Sequence, residues 1–231
     1  MIGFGGYGLY LLFSLPALLL GFWAQIKVKG ALKKYSQIRT TTGYTGAQVA
    51  RKMLDSNGLN DVNIEQTRGF LTDNYDPRSK TLRLSPEIYQ GNSIASAGVA
   101  AHEAGHALQD SENYFALKIR SAMVPSVQLG SWLGPIIFIA GLLLNFQNLA
   151  WAGVILFAAT ALFALVTLPV EFNASNRAKA WLSNSGMIYL EESKGIKSVL
   201  DAAALTYVAA AIQAISTLLY YVFLLTGSRR R

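Results

Sequence analysis

The sequence predicts a mainly α membrane protein with about four transmembrane helices and a small α+β region outside the apolar segments. Hydrophobic residues make up 52% of the 231 residues and charged residues only 14%, whereas about a quarter of the residues in a soluble domain are charged. Four apolar segments approach the roughly 20 residues that a helix needs to cross a hydrocarbon core about 30 Å thick. These two observations place the chain in a bilayer.

The basic residues lie at the ends of apolar segments. The net charge is +7, and Lys27, Lys29, Lys33 and Lys34 follow the first apolar segment, while three arginines occupy 229–231. Positive charge at these places sets the orientation of a membrane protein. The pattern therefore indicates a lipid bilayer as a partner and no nucleic acid. The sequence contains no cysteine, which excludes disulfide bonds and thiolate metal sites.

Each apolar segment is predicted to form one transmembrane helix. The first covers about residues 7–26 and is followed by its charges, which is typical of an anchor with its N-terminus outside rather than of a signal peptide. The second, at about 127–144, and the third, at about 149–169, are separated by the polar turn 145–148. They are predicted to form a hairpin. The fourth covers about 205–225 and is rich in alanine.

The segment between the first and second spans contains signals for two helices. Thr45 and Gln48 form a capping-box pattern at the start of the first helix, which is predicted to end at Gly58. The second helix is predicted from about Ser93 to Asp110. The whole chain is then divided into an N-terminal anchor at 1–26, a catalytic region at 27–126, a transmembrane hairpin at 127–169, a helix at 170–204 and a C-terminal hydrophobic helix at 205–231.

Two strands are predicted in the same segment. The first lies at about 62–65. The second, at 81–85, alternates polar and apolar residues as a half-exposed strand does. Residues 75–78 are predicted to form a turn, and Pro86 is predicted to end the second strand.

The second helix carries the motif His102-Glu103-Ala104-Gly105-His106. Histidines four residues apart lie on one helical face, so both imidazoles can bind one zinc ion, and the Glu103 carboxylate can take a proton from the attacking water. The alternative is a surface helix that holds two histidines by chance. It is disfavoured because the chain has only these two histidines. Gly105 is also costly within a helix, which indicates that another group approaches closely.

A catalytic zinc needs a third protein ligand, and with no further histidine and no cysteine this ligand should be a carboxylate. Glu171 is predicted because it directly follows the third span. Two spans separate it from His106, so both emerge on the same membrane face. Asp110, four residues beyond His106, is the rival ligand, since it lies near the same helical face. Glu112 and Glu87 are less favoured candidates for the third ligand.

These residues resemble the YugP-type membrane zinc metallopeptidases, the neutral zinc metallopeptidase family 2. The resemblance covers nearly the whole chain. Its motifs are Tyr75-Asp76-Pro77-Arg78, Leu82-Arg83-Leu84-Ser85-Pro86, Ala101 through Gln109, and Leu168-Pro169-Val170-Glu171-Phe172. It implies a zincin-like catalytic region of gluzincin type, with Zn²⁺ on His102, His106 and Glu171 and with Glu103 as the general base.

The layout is also similar to that of the HtpX-type membrane proteases, in which a zinc helix and two spans precede a helix with the pattern Glu-x-x-Ala-Asp. The matching residues here are Glu171, Ala174 and Ser175. Ser175 stands where that pattern has an aspartate, and Asn74 stands where the YugP-type pattern commonly has a histidine. The roles of both side chains therefore stay open. Arg177 is interpreted as an oxyanion-stabilising residue or as a positive-inside residue.

The predicted function is that of a membrane-embedded zinc endopeptidase acting on membrane or membrane-proximal proteins. The basic clusters after the first span and within 177–197 place the active site at the cytosolic face of a bacterial plasma membrane. Four full spans would place 229–231 outside, against the same rule, unless the fourth segment does not cross or the upstream clusters dominate. The alternatives are a non-catalytic membrane scaffold with a structural zinc and an intramembrane, site-2-type protease. The hairpin 74–85 is a candidate for strand pairing with an extended substrate.

Overall fold

The computed structural model describes residues 4–69 and 71–227, and within them it forms seven helices and one three-stranded sheet. The elements are α1 (Phe4–Tyr35), α2 (Gly46–Asp55), β1 (Asn63–Gln66), β2 (Asn74–Asp76), β3 (Thr81–Leu84), α3 (Pro86–Gln90), α4 (Ile94–Ser111), α5 (Phe115–Leu143), α6 (Gln147–Asn184) and α7 (Leu190–Gly227). The predicted mainly helical architecture with a small sheet is confirmed.

Four of these helices, α1, α5, α6 and α7, are long and apolar enough to cross a membrane. This confirms the predicted number of spans by length and composition. The predicted polar turn also lies between two of them: α5 ends at Leu143, α6 begins at Gln147, and Asn145 has a left-handed φ of 51°. The basic residues Arg229–Arg231 lie outside the described part of the chain, as do residues 1–3 of the predicted anchor.

The helices extend well beyond the apolar segments. The predicted third span ended at about 169, but α6 continues through Pro169 to Asn184. The predicted helix at 170–204 is divided between the end of α6 and the start of α7, because Gly186 adopts a left-handed φ of 68° between them. That backbone conformation ends a right-handed helix. The predicted fourth span is accordingly the C-terminal part of a helix that begins at Leu190.

The sequence signals for the starts of α2 and α4 are confirmed. Gln48 N–H donates to Thr45 Oγ1 over 3.3 Å, and Thr45 N–H donates to Gln48 Oε1 over 2.9 Å, which completes the capping box of α2. At the start of α4, Ser96 N–H donates to Ser93 Oγ over 3.0 Å. Gly58 has a left-handed φ of 74° just after α2, in agreement with its predicted position near the end of that helix.

The three strands form a sheet with the order β1-β3-β2. β1 pairs parallel to β3, and β2 pairs antiparallel to it. One prediction is wrong here, and another is wrong in part. β3 is the central strand and has Thr81, Leu82 and Leu84 buried, so it is not half-exposed. The first half of the turn predicted at 75–78 belongs to β2, and the turn itself lies at 77–80, between β2 and β3. Pro86 does end β3, and it also begins the short helix α3.

The described residues form two compact units. The first contains the chain up to Ala24, Ile119–Leu168 and the chain from Thr206, and the second contains Gln25–Lys118 and Pro169–Leu205. In the first unit, Phe138 stacks on Tyr221 with ring centroids 4.0 Å apart. The core of the second unit joins α2, β3 and α4 to the end of α6 and the start of α7; its members include Met53, Leu54, Leu82, Leu84, Ala104, Leu182 and Leu200. Every predicted metal or catalytic residue lies in the second unit.

Candidate metal centre

Helix α4 places two imidazoles next to each other. His102 and His106 are one turn apart, and their ring centroids are 4.8 Å apart. α6 passes close to this turn because Gly105 has no side chain. A Cβ at Gly105 would lie 2.8 Å from the backbone oxygen of Ala174. The close approach brings Glu171, which lies one turn earlier on α6, to the histidines.

Three potential ligand atoms converge at this point. His102 Nε2 lies 3.2 Å from Glu171 Oε2, and His106 Nε2 lies 3.7 Å from Glu171 Oε1. One ligand atom of each residue lies within 4.8 Å of the others. Donor atoms about 2.1 Å from a tetrahedral zinc lie about 3.4 Å from one another. The two distances to Glu171 are close to this separation, although they join different oxygens of its carboxylate. The imidazole and carboxylate donors are of the types that bind zinc.

The predicted ligand and its rivals occupy different surroundings. Glu171 is buried, with 2% of its surface exposed, beside the two histidines. Asp110 instead accepts hydrogen bonds from Tyr75 Oη over 2.8 Å and from Lys80 Nζ over 2.6 Å. Glu112 pairs with Arg177. Among the described residues, Glu171 is the carboxylate that forms a three-residue cluster with the histidines, and neither Asp110, Glu112 nor Glu87 joins that cluster.

The second nitrogen of each imidazole also has a polar partner. His102 Nδ1 lies 3.1 Å from Ser175 Oγ, and His106 Nδ1 lies 2.9 Å from Gln109 Oε1. Such partners fix the orientation of a ligand imidazole and raise the basicity of its other nitrogen. The serine that replaces an aspartate in the HtpX-like pattern thus places a hydroxyl beside the ligand candidate His102.

Glu103 is buried on α4 directly after His102. The structure places it in the same turn as the metal-ligand candidates, between the two histidines along the chain. Its predicted role is proton transfer, which requires a carboxylate close to the metal but not bound to it.

Gln109 and Asn173 are two site residues that the sequence interpretation missed. The Gln109 side chain is fully buried, and its Nε2 donates to Val170 O over 2.8 Å and to Asn173 Oδ1 over 2.9 Å. Gln109 follows His106 by three residues, so helical spacing could have indicated the contact. The contribution of Asn173 depends on the packing of α4 against α6, for which the sequence holds no local signal.

Arg177 lies at the outer end of this polar group. Its Nε donates to Asn173 Oδ1 over 2.7 Å, and its Nη1 and Nη2 donate to the two carboxylate oxygens of Glu112 over 2.6 Å each. These hydrogen bonds from Arg177 hold the pKa of Glu112 below its ordinary value. Arg177 is thus part of a bidentate ion pair. Neither of the two roles predicted for Arg177, oxyanion stabilisation and a positive-inside residue, includes this ion pair with Glu112.

Strand β2 is tied to α4 by the Tyr75–Asp110 hydrogen bond. Burial, followed by this hydrogen bond and the nearby charge of Asp110, raises the pKa of the Tyr75 phenol. The phenol therefore stays protonated and donates to the carboxylate at neutral pH. Asn74, whose role the sequence left open, pairs in register with Arg83 at the start of β2.

Two comparisons with known proteins found matches over nearly the whole chain. A family model described as "Putative neutral zinc metallopeptidase" matches residues 10–226. A protein of Bacillus subtilis (strain 168) named "Putative membrane protease YugP" is 48% identical over 221 residues, which is 96% of this chain and 98% of that protein. No solved structure matches the chain. Both matches include α4 and α6, and therefore the whole of the candidate centre.

Proposed function

The chain belongs to the family described as "Putative neutral zinc metallopeptidase", and on this premise we propose that it is a zinc-dependent endopeptidase of the membrane. The observation that carries the proposal is the cluster of His102, His106 and Glu171, in which one ligand atom of each residue lies within 4.8 Å of the others. Two imidazoles and one carboxylate are the ligand set of many catalytic zinc sites, where the fourth position is left for water or substrate.

His102, His106 and Glu171 are the residues proposed to hold the ion. When bound, zinc supplies a Lewis acid that acidifies water and polarises the carbonyl group of a peptide bond. Glu171 brings one negative charge to the site and is surrounded by protein rather than solvent. Its carboxylate would offset part of the charge of a divalent ion, which an apolar environment stabilises poorly.

Glu103 is proposed to move the proton. Its carboxylate takes a proton from the attacking water as the oxygen adds to the peptide carbonyl carbon. The same carboxyl group then gives that proton to the amide nitrogen, which leaves as an amine when the C–N bond breaks. The burial of Glu103 limits competition from bulk water during this transfer.

Strand β2 is proposed to bind the substrate chain in an extended conformation. It lies at one edge of the sheet, and Tyr75 ties it to the helix that carries the histidines. An extended peptide can add to such an edge by main-chain hydrogen bonds, while its side chains occupy alternate sides. This arrangement selects unfolded or flexible segments of protein substrates over folded ones.

The proposed substrates are membrane proteins or chains close to the bilayer, cleaved on the cytosolic side of a bacterial plasma membrane. The four candidate spanning helices support the membrane location. The lysines that follow the first apolar segment support a cytosolic position for 27–126, because positive flanking residues stay inside. The B. subtilis relative carries "membrane protease" in its name.

The test combines zinc analysis with proteolysis by the detergent-purified full chain. We expect about one zinc per chain, as for a single site with three protein ligands, and cleavage of an unstructured probe such as β-casein, followed by mass spectrometry. Glu103→Gln should retain zinc and lose cleavage. Glu191→Gln is the matched control because Glu191 is an exposed residue of α7 that pairs with Lys194.

Two outcomes would contradict the proposal. Absence of bound zinc, even after zinc is restored, would remove the catalytic centre. Zinc binding with undiminished cleavage by Glu103→Gln would remove the assigned role of Glu103. Zinc binding without cleavage of any probe in the wild type, however, would favour the non-catalytic scaffold with a structural zinc.

A further inference from the structure

The polar group beside His106 is a continuous chain of hydrogen bonds. Arg177 Nε lies 2.7 Å from Asn173 Oδ1, which lies 2.9 Å from Gln109 Nε2. Gln109 Oε1 in turn lies 2.9 Å from His106 Nδ1. The chain runs from a charged side chain at the outer end to a proposed metal ligand at the inner end. Each link joins α4 to α6 or lies within one of these helices.

We propose that Gln109 acts as a positioning residue that keeps the proton of neutral His106 on Nδ1 and the lone pair on Nε2. Its amide is oriented by Val170 and by Asn173, and Arg177 in turn orients Asn173. The inference rests on the proposed function only in taking His106 as a zinc ligand. It assigns to Gln109, Asn173 and Arg177 a shared role that is distinct from binding the metal or the substrate.

The direction of the chain follows from the chemistry of its members. An arginine guanidinium only donates hydrogen bonds, so Asn173 must present its oxygen to Arg177. That oxygen can only accept, so Gln109 must present its NH₂ group to Asn173. The other end of the Gln109 amide is then its oxygen, which faces His106. His106 must therefore donate from Nδ1, because an oxygen offers no proton.

A second acceptor reinforces this orientation of Gln109. Its Nε2 also donates to the backbone oxygen of Val170 over 2.8 Å, and a backbone carbonyl cannot reverse its polarity. Turning the amide by 180° would place its oxygen against two other oxygens. Because Gln109 is fully buried, no solvent could compensate, and each lost partner of a buried polar group is costly. The amide is consequently held in one orientation.

Arg177, at the outer end of the hydrogen-bond chain, is also held in one orientation. Arg177 makes a bidentate pair with Glu112, with both N–O distances at 2.6 Å. Glu112 directly follows the last residue of α4, so the pair ties the end of α4 to α6. Bidentate arginine–carboxylate pairs restrict the orientation of the guanidinium plane. The Nε–H group of Arg177 is thereby aimed at Asn173.

His102 provides an internal contrast. Its Nδ1 faces the hydroxyl of Ser175, and a hydroxyl can either donate or accept. Ser175 therefore satisfies both neutral tautomers of His102 and selects neither. The other nitrogen of His102, Nε2, lies 3.2 Å from Glu171 Oε2, which can only accept, so the metal-free contacts favour the opposite tautomer of His102, with its proton on Nε2. His106 Nε2 lies 3.7 Å from Glu171 Oε1, beyond hydrogen-bond distance, so its tautomer is set at Nδ1 by Gln109. For zinc binding, the fixed tautomer removes the need to move a proton before Nε2 can act as a ligand.

The experiment is a nitrogen NMR measurement on the metal-free full chain in detergent, labelled with ¹⁵N-histidine. The chain has only two histidines, and a His102→Gln variant assigns the spectrum. At about pH 9, well above the ordinary histidine pKa of about 6.5, wild-type His106 should show a single tautomer with Nδ1 protonated. Zinc affinity, measured by competition with a chelator, provides the second readout.

Three variants test the direction of the chain. Gln109→Leu removes the positioning group and should give a mixture of His106 tautomers, with zinc affinity about 10–100-fold lower, the usual effect of losing a partner of a metal ligand. Arg177→Met removes the donor to Asn173, but Val170 O still accepts from Gln109 Nε2, so this variant should keep the wild-type tautomer. Asn173→Asp retains the acceptor oxygens and should therefore keep the wild-type tautomer.

The outcomes separate this inference from the proposed function. A single Nδ1-protonated tautomer in Gln109→Leu would overturn the inference, as would a mixture in Arg177→Met or in Asn173→Asp. Should Gln109→Leu fail to fold, Gln109→Met, whose unbranched side chain also lacks the acceptor oxygen, takes its place. Loss of zinc binding or of cleavage by the wild type would instead overturn the proposed function, because the tautomer is read without metal or substrate.

Discussion

Gly105 of α4 lies directly against the backbone of Ala174 on α6, such that a Cβ at position 105 would stand 2.8 Å from the Ala174 oxygen. This contact explains why glycine occurs between two proposed ligands, where it weakens the helix by up to about 1 kcal/mol relative to alanine. A side chain there would push α6 away from α4. Since Glu171 lies on α6 and the histidines lie on α4, the distance between these helices sets the geometry of the candidate metal centre.

Gly105→Ala is therefore expected to impair zinc binding. The added methyl group must displace a backbone rather than a flexible side chain, and such overpacking costs about 1–3 kcal/mol. Gly98→Ala is the matched control on the same helix, because its Cβ would meet Ile196 Cγ2 at an ordinary 3.5 Å. The zinc content and the thermal unfolding temperature should both fall for Gly105→Ala and stay close to the wild-type values for Gly98→Ala. Equal behaviour of the two variants would contradict this account.

Exchanging the two rival carboxylates for amides should distinguish them. Loss of a hydrogen-bond partner of a metal ligand usually lowers metal affinity about 10–100-fold. Glu171→Gln is expected to lower zinc affinity by more than this, because it removes both a proposed ligand and a buried negative charge. Asp110→Asn should keep zinc, since Asp110 pairs with Tyr75 and Lys80. Chelator competition measures both affinities. Loss of zinc from Asp110→Asn with zinc retained by Glu171→Gln would reverse the assignment.

The parts of this site that could be predicted from the sequence are those with local causes. The capping box of α2 involves residues three positions apart, and the two histidines share a face because they are four positions apart. Gly105 was interpreted correctly as a point of close approach. The identity of its neighbour, Ala174, could not be derived, because it depends on how two helices distant in the sequence pack together.

The remaining features depend on long-range contacts. The parallel pairing of β1 with β3 places a strand between β1 and its sequence neighbour β2, and strand order has no local signal. The orientation of the Gln109 amide could not be predicted for a similar reason: it is set by Val170 and Asn173, which follow Gln109 by 61 and 64 residues. The end of α6 and the start of α7 were not predicted, because hydropathy marks the limits of an apolar segment, whereas a helix continues until the backbone changes conformation.

The Arg177–Glu112 pair should make a small, pH-dependent contribution to stability. Hydrogen bonds from Arg177 lower the pKa of Glu112 in the folded chain, so the stabilisation is present above the unfolded value of about 4.3 and is lost as the pH falls through the lower folded value. Because the pair is partly exposed, its contribution is below about 1 kcal/mol. Below about pH 4.3, the free energy of unfolding of Glu112→Gln should fall less steeply with decreasing pH than that of the wild type.

Denaturant titrations of the full chain at several pH values measure this difference. Glu65→Gln is a suitable control, because Glu65 is an exposed residue whose nearest charged partner, Arg83, lies 3.8 Å away. The two variants should differ only at acid pH. An identical pH dependence in wild type and Glu112→Gln would show that the ion pair contributes nothing to folding stability.

Tyr75→Phe should separate substrate binding from metal binding. The substitution keeps the aromatic ring in β2 but removes the hydrogen bond from Tyr75 Oη to Asp110, which spans 2.8 Å and ties the strand to α4. If β2 aligns the substrate, its loosening should raise KM by several-fold, in line with the about 0.5–1.5 kcal/mol that a hydrogen bond contributes, while zinc content stays unchanged. Tyr44→Phe is the control, because its ring keeps the contact with Lys52 Nζ at 4.5 Å. An unchanged KM for Tyr75→Phe would exclude this tie as an element of substrate alignment, whereas a loss of zinc would assign it to the metal centre instead.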